Sequence, residues 1–177
     1  MNNNPPLGLL HLYLGNGKGK TTAAAGLCCR VLGSGGRVLL AQFLKSGQSS
    51  EVASLSTLGA KTMHTNQSGK FTWQMTEEEA KLCRQSCEKQ LLYCTQAAAQ
   101  GHFDLIVLDE VLDAAQKGFV PMESLCALAQ QHPGVELVFT GRQAAGEVKA
   151  LADYISVISA EKHPYQKGVA ARRGIEY

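Results

Sequence analysis

The chain has 177 residues, 45% of them hydrophobic and 18% charged, with a formal net charge of +2. That length and apolar fraction suit one domain with a proper core, and the scattered, nearly balanced charge gives no electrostatic reason to expect nucleic acid or a membrane surface as a partner. The start, Met1-Asn2-Asn3-Asn4-Pro5-Pro6, lacks the basic and apolar regions of a signal peptide, and no apolar run approaches a membrane span.

The resulting expectations are a cytoplasmic location, a single domain over 1–177 and disorder over residues 1–6. The six cysteines, Cys28, Cys29, Cys83, Cys87, Cys94 and Cys126, show no C-x-x-C pair, so reduced thiols are expected rather than a disulfide framework.

The first expected element is a strand over Leu9–Leu14, which runs into Gly15-Asn16-Gly17-Lys18-Gly19-Lys20-Thr21-Thr22 and then Ala23-Ala24-Ala25. This reads as strand, phosphate loop and helix. Alternating glycines permit positive φ and a close approach of backbone to ligand, so the loop's N–H groups are expected to turn inward around an anion. The helix opening near Lys20 aims its unpaired N–H groups at the same point. Lys20 adds a mobile cation, and the Thr21 hydroxyl is placed for Mg²⁺. The usual spacing puts a glycine where Leu14 stands; here the first glycine, Gly15, comes one residue late. A glycine turn with lysines present only for solubility is the bland alternative, and the flanking strand and helix weigh against it.

A helix over Thr21–Leu32 closes at Gly33, and Arg37–Phe43 forms a second buried strand, completing a βαβ unit with parallel strands. Lys45–Ser50 is a polar loop at the carboxyl edge where open α/β sheets bind ligands. A short helix over Glu51–Leu58 and a strand over Lys61–His64 follow, then a loop over Thr65–Met75 carrying Phe71 and the sole tryptophan, Trp73. Thr76-Glu77-Glu78-Glu79 is a capping-box pattern that starts a long helix to about Gln100. Ala80, Cys83, Cys87, Leu91, Cys94 and Ala98 recur on one helical face, which makes those cysteines packing residues.

Phe103–Leu108 is a strand running into Asp109-Glu110, paired acids at the carboxyl end of a parallel strand, where Mg²⁺ finds oxygen ligands. Helices are expected over Val111–Lys117, over Pro121–Gln131 with the proline in its first turn, and over Ala144–Ala152. Strands are expected over Val135–Thr140 and Tyr154–Ser159, the former ending at Thr140-Gly141-Arg142, where Arg142 either reaches a phosphate or is an exposed turn residue. The whole reads as an α/β fold, an open and mostly parallel sheet with helices on both faces, of P-loop NTPase (RecA-like) architecture.

Phosphate loop and acidic strand end together imply Mg-nucleotide binding but leave the reaction open. Several ordered pieces narrow it. The loop Gly15–Thr22, Gln42-Phe43-Leu44-Lys45, Phe71-Thr72-Trp73, Val107-Leu108-Asp109-Glu110, Thr140-Gly141-Arg142, Lys162-His163-Pro164-Tyr165 and Gly174-Ile175-Glu176-Tyr177 resemble, in order, the P-loop ATP:corrinoid adenosyltransferases. The family's own phosphate loop is shortened in the same way.

That resemblance implies transfer of the 5′-deoxyadenosyl group of ATP to the cobalt of a Co(I) corrinoid, either cobalamin or cobyrinic acid a,c-diamide, with release of triphosphate. It further implies that Gly15, Asn16, Gly17, Lys18, Gly19, Lys20, Thr21, Thr22 and Arg142 hold the nucleotide. Thr21 with Asp109 or Glu110 would hold Mg²⁺, Lys20, Thr21 and Glu110 would serve catalysis, and Phe71 and Trp73 would form an apolar wedge that keeps the lower ligand off Co(II) before reduction. A flavoprotein-type reductant and a homodimer follow from the resemblance alone. An ordinary P-loop ATPase or kinase, with Glu110 activating water or an acceptor hydroxyl, is the alternative; a nucleotide-sensing module without turnover is a third reading.

Overall fold

The computed structural model describes residues 8–66 and 68–176. The expectation for residues 1–6 and the resemblance at Tyr177 therefore lie outside the described residues.

Six strands, β1 (Leu10–Leu14), β2 (Val38–Gln42), β3 (Lys61–His64), β4 (Leu105–Asp109), β5 (Glu136–Thr140) and β6 (Tyr154–Val157), form one sheet in the order β3-β2-β4-β5-β1-β6. Every pairing is parallel, so all six carboxyl ends face one edge. The expected parallel pair β1 and β2 is present, but β4 and β5 lie between the two strands. The site is therefore assembled across four adjacent strand ends.

Strand composition matches position in the sheet. β2 and β4 are buried along their whole length and read as continuous apolar runs, as parallel strands covered on both faces must. β6 is an edge strand with every residue exposed.

Helix α1 (Lys20–Gly33) and α2 (Ser50–Thr57) cover one face, burying Ala24, Cys28 and Leu55 against Val38, Leu40, Leu105, Val107 and Val138. The other face packs α3 (Glu77–Ala99), α4 (Val111–Gln116), α5 (Met122–Gln130) and α6 (Gly146–Leu151) on Leu12, Leu39, Ile106, Leu108, Leu137 and Phe139. On α3 the cysteine stripe is core: Cys83, Cys87, Leu91, Cys94 and Ala98 are buried, and Ala80 packs half-buried beside them. The α3 capping box forms as its pattern predicts, Glu79 N–H donating to Thr76 Oγ1 at 3.2 Å and Thr76 N–H to a Glu79 oxygen at 2.9 Å.

Two local expectations are corrected. Pro121 is the N-cap of α5, with extended backbone, rather than a residue of its first turn. The segment before α3 contains a 3-10 turn, Thr72–Gln74, where only loop was expected. Among the described residues no helix is long and apolar enough to cross a membrane.

Candidate active site

The phosphate loop links the end of β1 to α1, and its glycines have different duties. A Cβ on Gly15 or Gly17 would lie 2.2 Å and 2.8 Å from the carbonyl oxygen of Ile158, whereas one on Gly19 would meet nothing within 4 Å. The first two glycines therefore admit the backbone that follows β6, and Gly19 is required for its φ of 126°.

Two of the loop's N–H groups do not turn inward as expected. Gly15 N–H donates to Arg142 O at 3.0 Å and Gly17 N–H to Ile158 O at 2.8 Å, so both are spent on anchoring the loop to its neighbours. Donors for an anion include those of the first turn of α1. There the intrahelical ladder starts only at Ala23 N–H to Gly19 O, which leaves Lys20, Thr21 and Thr22 without helical acceptors.

Lys20 bends back through the loop, its ammonium donating to Gly15 O at 2.7 Å and Gly17 O at 2.9 Å. Its pKa is pushed down by burial and by the nearby Arg142, against the pull of Asp113, Glu110 and Asp109. Arg142 is placed there by its backbone: its N–H donates to the Asp113 carboxylate at 3.2 Å while its carbonyl holds Gly15. The Arg142 side chain itself is exposed, and its charge acts on Lys20 from beside the loop. Lys18 and Asn16 are exposed on the loop's outer side, with Asn16 Oδ1 accepting from Ala160 N–H at 3.2 Å.

Across β5 from the loop lies the acidic strand end. Asp109 is fully buried and receives four donors. Thr21 Oγ1 and Thr140 Oγ1 donate to its Oδ1 at 2.9 Å and 2.7 Å, and Lys45 Nζ and Gln42 Nε2 to its Oδ2 at 2.6 Å and 3.3 Å. Gln42 is the register partner of Asp109 on β2, so the pairing itself sets that contact.

Glu110, the next residue, has φ 60° and ψ 16°, the left-handed region that costs a non-glycine residue about 1–2 kcal/mol. Its N–H donates to Thr140 Oγ1 at 2.8 Å, and the bend sets its carboxylate 3.4 Å from the Lys45 ammonium. Desolvation there, with Asp109 and Asp113 adding to it, raises its pKa against the opposing pull of Lys45.

Lys45 ends the short segment after β2. Its ammonium lies 2.6 Å from Asp109 Oδ2, 3.4 Å from Glu110 Oε1 and 3.1 Å from Thr21 Oγ1. Burial pushes its pKa down, but the two carboxylates outweigh that and hold it above the ordinary lysine value. The sequence reading gave Lys45, Gln42 and Thr140 no role. The available signal was their place at the carboxyl ends of β2 and β5, which the topology sets beside Asp109.

These oxygens fit Mg²⁺. A hydroxyl and two carboxylates are the hard donors the ion selects, and here they converge on a point already tenanted by a positive charge, the Lys45 ammonium.

A cleft of about 480 Å³ runs from Thr21 and Thr22 past Lys45, Gln48 and Glu51 to Phe71, within the usual range for a small-ligand site. Ile175 and Glu176 of the carboxyl-terminal tail form part of its wall. Phe71 and Trp73 do not cover the core. They are 62% and 73% exposed, and their rings stack at 4.6 Å with 2° between planes.

Comparison with known proteins bears on this site. Residues 7–177 match the family described as ATP:corrinoid adenosyltransferase BtuR/CobO/CobP. Corrinoid adenosyltransferase CobA of Salmonella typhimurium is 30% identical over 171 residues, covering 96% of this chain and 86% of that protein. The corrinoid adenosyltransferases of Pseudomonas aeruginosa and Escherichia coli K12 are 30% and 29% identical, each over 96% of this chain and over 84% and 86% of their own lengths.

Proposed function

The chain belongs to the ATP:corrinoid adenosyltransferase family, and on that premise we propose how its site carries out ATP-dependent adenosylation of a corrinoid. The observation that carries the proposal is a cleft lined at one end by Thr21 and Thr22 of the first turn of α1, next to the loop that Lys20 closes, and at the other by Phe71, whose ring stacks on the exposed Trp73.

In this reading the triphosphate of ATP lies in the loop Gly15–Thr22. The N–H groups of Lys20, Thr21 and Thr22 and the Lys20 ammonium would face it, and the exposed Lys18 and Arg142 side chains would turn onto it from the rim. Cob(I)alamin or a Co(I) precursor attacks the ribose C5′. The cobalt electron pair forms the Co–C bond, the C5′–O5′ bond breaks, and intact triphosphate leaves, taking that bond's electrons. No proton has to be removed from the nucleophile, so Glu110 need not act as a base. Fixed positive charge at the loop stabilises the charge that develops on the departing O5′.

Thr21 would hold Mg²⁺ with Glu110 or Asp109, and the ion when bound supplies further charge neutralisation to the phosphates. Asp109 already satisfies four donors from within the fold, which favours Glu110 as the direct ligand and Asp109 as the group that orients Thr21. Phe71 and Trp73 present an apolar, water-excluding face on which a corrinoid can lie with its lower axial ligand displaced, which makes Co(II) easier to reduce. The electron would come from a flavoprotein-type reductant, and the enzyme would work as a single-domain chain in a cytoplasmic homodimer. Family membership disfavours the ATPase or kinase alternative.

Incubation with ATP, Mg²⁺ and chemically reduced corrinoid tests the assignment. The expected product is a light-sensitive alkyl-cobalt spectrum that requires all three; steady ADP release without corrinoid would overturn it.

A further inference from the structure

Asn66 is 3% exposed and lies between the two halves of the cleft. Its Nδ2 donates to Leu44 O at 3.2 Å and to Lys70 O at 2.7 Å. Its Oδ1 accepts from Ser68 N–H at 3.1 Å, Ser68 Oγ at 2.9 Å and Gly69 N–H at 3.1 Å. Its own N–H donates to Lys45 O at 3.0 Å. One buried side chain therefore shapes the 66–70 loop with its oxygen and ties that loop to the end of β2 with its nitrogen.

The two ends of this tie differ chemically. On one side, Leu44 holds a left-handed φ of 59°, and its N–H is fixed by Thr65 Oγ1 at 2.9 Å. The adjacent Lys45 sends its ammonium among Thr21, Asp109 and Glu110. A phosphate-bound cation held by Thr21 and Glu110 competes with that ammonium for those two oxygens, so Lys45 is left with its bond to Asp109 and its segment shifts when the site fills. On the other side, Lys70 leads directly into Phe71. The turn after it is closed by Gln74 N–H to Phe71 O at 2.8 Å and Phe71 N–H to Gln74 Oε1 at 3.2 Å, so with its stacked rings it moves as one unit.

The other ties of the aromatic turn lie at the surface: Lys70 Nζ to Glu79 at 2.6 Å and Lys117 Nζ to Thr72 Oγ1 at 2.9 Å. Exposed contacts of this kind hold geometry weakly, whereas a satisfied buried amide specifies it.

We propose that Asn66 is a positioning residue that couples the nucleotide side of the cleft to the aromatic turn, so that filling the phosphate site resets the pose of Phe71 and Trp73. This rests on the nucleotide site proposed above.

Trp73 is the sole tryptophan, so its emission reports on this turn. Titration of the full chain with Mg-ATP, followed in parallel by emission and calorimetry, should show a Trp73 change that saturates with binding. Asn66→Asp keeps the acceptor toward Ser68 and Gly69 and removes both donors to Leu44 and Lys70. It should cut the emission change by about fivefold or more while ATP affinity shifts by less than about threefold. A full-amplitude change in Asn66→Asp, or a wild-type emission that ignores bound ATP, would overturn the coupling. Failure of the wild type to bind ATP in the calorimeter would instead overturn the nucleotide reading. Should the variant not fold, hydrogen exchange of the wild type decides: amides 68–74 should gain protection with ATP, and unchanged protection with ATP bound contradicts the proposal.

Discussion

Glu110, the N-cap of α4, combines a strained backbone with a carboxylate whose pKa is raised by desolvation. Strain of this kind persists where a side chain must point somewhere specific. Glu110→Asn, a residue that tolerates the left-handed region, should stabilise the fold by about 1 kcal/mol in denaturant melts while adenosylation falls by about tenfold or more. Unchanged activity would remove Glu110 from the site. Asp109 behaves oppositely. Asp109→Ala leaves Lys45, Thr21, Thr140 and Gln42 without their shared acceptor and should cost about 3 kcal/mol or more of stability, because it breaks a buried charge pair. Lys20→Ala should abolish ATP binding in calorimetry; unchanged affinity would mean the loop does not cradle the phosphates.

At the scale of elements, the strands hold the loop through polar contacts at both sheet edges. Glu136, at the start of β5, accepts Gly8 and Leu9 N–H at 3.0 Å and 3.1 Å and the His11 ring at 2.5 Å, and so fixes the entry to β1. Burial pushes its carboxyl up, but the bonds from His11, Gly8 and Leu9 outweigh that and hold it below the ordinary glutamate range. Its stabilisation is therefore complete above the unfolded value, about 4.3, and is lost as pH falls through the lower folded value. Glu136→Gln should flatten the acid limb of a stability–pH curve measured by urea melts below about pH 4.3; an unchanged limb would show that another carboxylate dominates there. The aromatic turn makes a separate prediction. Trp73→Ala should slow the Co(II) route by about tenfold and spare pre-reduced Co(I) substrate, as activity assays of the two routes would show, and equal losses in both would argue against ligand displacement.

Over the whole molecule, the α/β architecture and nearly every element were legible because they rest on local signals: apolar runs of strand length, a capping box at Thr76, glycines at helix ends. The loop at Gly15–Thr22 and the acids at Asp109-Glu110 were legible because their chemistry is contiguous in sequence. Lys45, Thr140 and Asn66 were not. Each is an ordinary polar residue with a defining partner 22 to 64 positions away, and only the strand order brings these partners together, β4 beside β2 and β5 for Lys45 and Thr140, β3 beside β2 for Asn66. Gly15 has the expected positive φ, 111°, but the close approach at Gly15 and Gly17 is made by the Ile158 carbonyl, whose place beside the loop no local signal announces.

The central claim is that the phosphate loop holds the whole triphosphate as a leaving group rather than presenting a terminal phosphate for transfer. Phosphorus NMR of a reaction run with Mg-ATP and chemically reduced corrinoid tests it directly. Intact triphosphate should accumulate in step with adenosylated corrinoid and be absent when the corrinoid is omitted. ADP and inorganic phosphate appearing in its place, at the same rate with or without corrinoid, would contradict it.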